Sequence, residues 1–190
     1  PYVTDFASDR NKDYSMSIYL MDIPSYDEDG NRLFDDSTGK PGVTKTSEEF
    51  TRRNIDNNYA ASYFPDVFIE DPANGNRNVH VPASIAAMGA LAYTDSVAYP
   101  WFAPAGFNRG ALGFVKNVKS RLTTNDRDVL YDARINPIAT FPGGDFVIFG
   151  QKTLQIAKSA LDRVNVRRMM LELKRQVISV ADKLLFEQNN

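Results

Sequence analysis

Apolar positions along this chain fall into short runs, with one long stripe near the end, separated by polar and turn-forming stretches. Residues 14–22 (YSMSIYLMD) are aromatic and apolar and stop short of Pro24, which predicts a buried strand. Residues 25–42 (SYDEDGNRLFDDSTGKPG) carry five acids, three glycines and a proline, and predict a solvated loop insertion. A short helix is expected over 47–58, with Thr46 or Ser47 as N-cap and Glu48 and Glu49 in its first turn. Residues 61–70 (ASYFPDVFIE) read as one strand, bent or unpaired at Pro65. A hairpin-like turn at 74–78 (NGNRN) leads to a helix over 85–93, capped by Ser84 and rich in alanine and glycine.

Residues 99–109 are aromatic, proline-rich and irregular. Thr124 is expected to cap a helix over 124–135, with Asp126 and Asp128 near its start. A turn at 141–144 and a short strand at 145–149 follow. The last helix is expected to start after a capping Asn165 and run to about Val180. Val166, Met170, Leu173, Val177 and Val180 recur at spacings of four and three, which puts them on one face. Leu171 and Ile178 widen that stripe, and Arg168, Glu172, Arg175, Ser179 and Asp182 lie opposite. Residues 183–187 (KLLFE) then read as a closing strand, although the same periodicity would extend the helix to Phe186. Strands alternating with helices predict an α/β (mixed α+β) fold, a layered sheet with packed helices, as a single domain over 1–190.

Composition narrows the chemistry. A chain of 190 residues, 43% hydrophobic and 24% charged, has enough apolar surface for a core without staples. Its net charge of −2 gives no field suited to nucleic acid. With no cysteine, disulfides, thiolate metal sites and cysteine nucleophiles are excluded. No apolar run approaches a membrane span, and the first residues lack the basic-then-apolar pattern of a signal peptide. The absence of an initiator Met suggests a fragment of something longer.

Candidate catalytic and metal motifs fail on spacing. His80, the only histidine, has no partners for a zinc site or a triad and is assigned a structural or surface role. The acidic run 27–36 invites a calcium reading, but Asp29-Gly30 breaks the alternation of an EF-hand loop and Thr38 stands where its bidentate glutamate belongs. Gly39-Lys40 lacks the rest of a phosphate loop. Gly143-Gly144 precedes a strand, whereas a phosphate loop follows one. Carboxylate pairs are abundant, none in a recognisable catalytic context, so no enzymatic activity and no cofactor are predicted. The most suggestive local feature is cationic: Arg163, Arg167 and Arg168 near the start of the last helix, then Lys174 and Arg175. Cations at a helix N-terminus oppose its dipole. Local carboxylates or an acidic partner would offset that cost.

Six phrases occur in order: residues 59–71, 81–95 (VPASIAAMGALAYTD), 101–110 (WFAPAGFNRG), 131–150 (with INPIATFPGGDFVIFG), 163–168 (RVNVRR) and 185–189 (LFEQN). Together they resemble the C-terminal core of contractile phage tail sheath proteins and related injection machines. The family's full subunits are longer, with N-terminal domains and a C-terminal arm, and the 25–42 loop looks like an insertion. The resemblance implies a structural subunit that polymerises around an inner tube and contracts to drive it through a host envelope, without nucleotide. It implies as partners other sheath subunits, joined by exchanged arms through β-augmentation, together with the tube, baseplate and tail terminator proteins. It also implies a place in the virion's contractile tail, assembled in the host bacterial cytoplasm. Arg167, Arg168, Lys174 and Arg175 become candidate contacts to the tube or to a neighbour. Arg109 and Arg163 have the alternative of a role internal to the fold, tying loops to carboxylates. The alternative is a non-enzymatic virion or surface binding module, with Tyr99 to Phe107 as an aromatic platform.

Overall fold

Pro65 divides the stretch predicted as one strand. In the computed structural model, which describes residues 16–23, 34–35 and 40–185, it separates two strands that enter different sheets. The elements are β1 (Tyr19–Met21), β2 (Phe34–Asp35), β3 (Lys40–Pro41), α1 (Val43–Arg52), β4 (Ala60–Phe64), β5 (Val67–Asp71), β6 (Arg77–Val81), α2 (Ala83–Val97), α3 (Gly106–Arg109), β7 (Val115–Val118), α4 (Thr124–Asp132), β8 (Ile135–Thr140), β9 (Phe146–Ile148) and α5 (Val164–Leu184). Within the predicted loop 25–42, β2 and β3 pair antiparallel. The rest of that loop, including the acids at 27–29, lies outside the described residues.

The central sheet has the order β1-β4-β8-β9, parallel between its first three strands and antiparallel between β8 and β9. Strand alternation sends its residues to two cores. Ala61, Tyr63 and Ile138 face α2, whose Ala83, Ala86, Ala87 and Ala90 bring the helix close to the sheet. Ala60, Phe64 and Ile135 face the other way, onto Val43 and Phe50 of α1 and Leu130 of α4. Even the edge strand obeys this rule, with Ile18 and Leu20 on the first core and Tyr19 and Met21 on the second. The predicted layered α/β fold is thus borne out, as helices on both faces of a mixed sheet. A second antiparallel sheet, β6-β5-β7, adjoins the α2 side.

Several boundaries move for local reasons. Helix α1 starts at Val43 rather than Ser47 and ends at Arg52, beyond which Asn54 has φ 46°. Helix α2 covers 83–97, with Pro82 rather than Ser84 at its N-cap; the Ser84 hydroxyl donates to Asp22 instead. Helix α4 is capped by Thr123, not Thr124, in a reciprocal capping box with Asp126, and it stops at Asp132 so that Ile135 opens β8. The hairpin turn comes slightly earlier than predicted, with Asp71 capping a 3-10 turn over Pro72–Asn74. Helix α5 starts at Val164, and Asn165 is not its cap, because its side chain donates to Trp101 O. The closing strand fails at its start: residues 183 and 184 continue α5, as the three-to-four spacing already permitted, and 186–187 lie outside the described residues.

Candidate interaction surfaces

Two phrases singled out in the sequence, 59–71 and 131–150, meet at one buried side chain. Asn136, fully buried in β8, donates through Nδ2 to Ser62 O of β4 (3.0 Å) and Lys152 O (2.8 Å), and its Oδ1 accepts from Lys152 N (2.6 Å). Gly150 passes against this group so closely that a Cβ would stand 2.9 Å from Asn136 Oδ1. A Cβ at Gly110 would lie 2.7–2.8 Å from Ala105 Cα, Gly106 N and Ile148 O, and Ile148 N bonds Gly110 O. The Asn-Pro and glycine phrases are therefore packing devices that join β4, β8, β9 and the segment leading to α5.

That segment anchors only the first part of α5. Val164 is fully buried and its N–H donates to Gln151 O. Arg167 is buried, its guanidinium 3.9 Å from the Tyr59 ring centroid and hydrogen-bonded to Asn58 Oδ1. Arg168 donates to both carboxylate oxygens of Asp95 on α2. The basic start of the helix thus has partners on the α2 face and beside β4. Burial raises the Tyr63 phenol well above its ordinary range, against the opposing charge of Arg168. Of the two arginines with that alternative, Arg109 donates to Ala103 O and lies over Phe102 rather than meeting a carboxylate, and Arg163, although exposed, donates to the Tyr131 hydroxyl and pairs with Asp162.

From Leu173 onward every described residue of α5 is exposed. The predicted stripe is half-buried at Val166 and uncovered beyond it: Met170 is 45% exposed, Leu173 49%, Val177 65% and Val180 57%, and Leu184, 60% exposed, continues it. Lys174 flanks this stripe and makes no ion pair among the described residues. Arg175, on the same half of the helix, donates to Glu172, which holds that carboxyl below its usual range. The four candidate contact residues therefore separate into two pairs, Arg167 and Arg168 engaged within the fold, Lys174 and Arg175 on the projecting half.

The aromatic stretch also divides. Tyr99 stacks on Trp101 (centroids 4.6 Å apart) beside Phe102, whereas Phe107 joins Phe141 and Phe149. A platform running from Tyr99 to Phe107 is not what forms. His80 pairs with Asp66 at 3.1 Å and tilts against Phe68, in keeping with its surface role. Among the described residues no group of three His, Asp or Glu side chains could hold a metal ion, and no helix is long and apolar enough to cross a membrane.

One feature had no counterpart in the sequence reading. Arg134, Lys152, Lys158 and Arg163 converge on a pocket of about 670 Å³ between the end of α4 and the 152–163 segment. Lys152 Nζ donates to Tyr131 O at 2.8 Å, and burial lowers its pKa, opposed by Asp132. The four cations are spread over thirty positions, so only the fold brings them together.

No family model matches the sequence. It is 39% identical over 156 residues to the tail sheath protein of Vibrio phage KVP40, covering 82% of this chain and 22% of that protein. To the tail sheath protein of Enterobacteria phage T4 it is 38% identical over 138 residues, covering 72% of this chain and 21% of that protein. The chain thus spans about a fifth of the length of these curated relatives. Among solved structures, it resembles a chain of the PVC sheath complex, an extracellular contractile injection system in its contracted state, with a TM-score of 0.62 and 25% identity over 78% of this chain and 39% of that one. The fold is also that of a chain in the anti-feeding prophage baseplate, with a TM-score of 0.68 and 21% identity, covering 98% of this chain and 43% of that one.

Proposed function

We propose, from the premise that this chain is homologous to the contractile tail sheath proteins, that it forms the interlocking core of a sheath subunit and works through its surfaces rather than through a catalytic pocket. The observation that carries this reading is the 39% identity to a phage tail sheath protein across 82% of the chain. Its partners are other copies of the subunit in a helical polymer, then an inner tube, with baseplate and terminator proteins at the ends. Its place is the virion tail, after assembly in the host cytoplasm.

The projecting half of α5 supports a contact surface in such a lattice. Its apolar stripe has no cover among the described residues; Lys174 gives it a positive flank, and Arg175, on the opposite face, is paired with Glu172. An acidic partner, the tube or a neighbouring subunit, would be held there in part by charge, which permits release without exposing a core. Arg167 and Arg168 would act indirectly, by fixing the base of the helix against Tyr59 and Asp95. Neighbouring arms would add strands at open sheet edges.

A chimera tests the reading. The matching segment of the KVP40 tail sheath protein is replaced by this chain's 156 aligned residues, and the product is viewed by electron microscopy. Hollow tubes or stacked rings are expected. A folded, soluble chimera that stays monomeric would overturn the reading. Reversing both Lys174 and Arg175 to glutamate in an assembling chimera should weaken its retention of the tube protein, and unchanged retention would remove those residues from the contact.

A further inference from the structure

Helix α4 ends in an unusual way. Its C-terminal turn closes with Arg134 N donating to Tyr131 O, and Arg134 takes the left-handed conformation at φ 64°. Glycine is the ordinary residue there, because it has no Cβ to crowd the neighbouring carbonyl. This chain keeps an arginine, and the side chain does not repay the conformation by pairing. Its Nε is buried without a hydrogen-bond partner, and the guanidinium makes no ion pair with the described residues. It lines the cationic pocket, where Lys158 is exposed and likewise without an ion pair among those residues.

The remaining lining indicates what would fit. Arg163 is tied to Asp162 at 3.3 Å, and Asp132 stands near Lys152, which leaves Arg134 and Lys158 in want of counter-charge. A phosphate loop presents a row of unused backbone N–H groups. Here three N–H groups of the segment are already taken: Ile156 N donates to Asp56, and Leu161 N and Asp162 N both donate to Ser159. Ile156 adds an exposed apolar wall, 45% accessible. Two carboxylates in the lining would repel a compact polyanion, yet can accept from the amides of a peptide.

We propose that this pocket binds an acidic polypeptide segment, whose carboxylates pair with Arg134 and Lys158 while an aliphatic side chain lies against Ile156. The inference rests on the pocket's own geometry and stands whether or not the chain assembles into a sheath.

Fluorescence anisotropy of the full 190-residue chain with a labelled dodecapeptide of alternating glutamate and leucine tests it, against the same peptide with glutamine for glutamate. The acidic peptide is expected to bind, and to weaken about tenfold between 50 and 200 mM salt. Arg134→Gly should weaken binding about tenfold more while raising the Tm by about 2–4 °C, since it relaxes the helix end. That combination separates a ligand contact from a structural role. Lys158→Ala, at an exposed position, should weaken binding severalfold with the Tm unchanged. Equal binding of the glutamine peptide would overturn the proposal, as would undiminished binding by Arg134→Gly. Full displacement by pyrophosphate at lower concentration than the peptide would overturn it too, reassigning the pocket to phosphate.

Discussion

At the residue scale, the phrases that stand out in this sequence are mostly solutions to close packing. Asn136 serves three backbone groups from a fully buried position, so Asn136→Ala would leave Ser62 O, Lys152 O and Lys152 N without that partner. A loss of about 2–4 kcal/mol is expected. Gly150→Ala alone should cost about 1–3 kcal/mol, because the new Cβ meets Asn136 Oδ1 and Pro137 Cδ. Since the first substitution removes the atom nearest to the second, the two should be less than additive. Urea midpoints of both single variants and the double variant check this, and strict additivity would disprove the shared contact. The sequence displays Asn136 and Gly150 as oddities, an amide and a glycine in apolar surroundings. It cannot display the reason, which lies in a chain crossing brought together across the sheet. Arg134 was hidden for another reason: read as the interior of a helix over 124–135, it is an ordinary charged residue, and only the early stop of α4 gives it a left-handed backbone.

At the element scale, periodicity located β1, α1, α2, α4, β9 and α5 and the run that divides into β4 and β5, but it gave no strand at β6, β7 or β8, and it failed where tertiary context overrides it. Pro65 sits in a run whose apolar content is continuous, yet the two halves serve different sheets. The three-to-four spacing of α5 was legible throughout, but periodicity states only that a face is apolar, not that the same chain covers it. This gives a sharp expectation for α5. Leu173→Gln with Val177→Gln removes two apolar side chains that are already 49% and 65% exposed. The change in unfolding free energy should stay within about 0.5 kcal/mol, while assembly of a chimera carrying the pair should fail. Arg168→Ala is the converse case. It breaks a pair whose arginine side chain is only 11% exposed, so it should lower stability by about 1–2 kcal/mol and loosen the helix base, seen as faster amide exchange in the first turns of α5.

At the scale of the whole molecule, two surfaces differ in character, the cationic pocket that Arg163 lines and the apolar stripe along the exposed part of α5, and salt should tell them apart. The cationic pocket depends on charge, so its ligand is lost as ionic strength rises. The apolar stripe depends on burial, and patches of this kind mark contact sites. Met170, Leu173, Val177, Val180 and Leu184 follow the spacing of a coiled-coil seam, and Lys174 and Lys183 flank it. Two copies that laid these seams together would bring like charges near one another, so self-association is opposed at low salt and favours a partner with acidic flanks. Screening removes that opposition while leaving the apolar term intact. Sedimentation velocity of this chain should therefore show a larger associated fraction at 500 mM than at 50 mM salt, and none at either for Leu173→Gln with Val177→Gln. Association that falls with salt would instead place the contact at the cationic pocket, and would assign the stripe to a partner other than this chain.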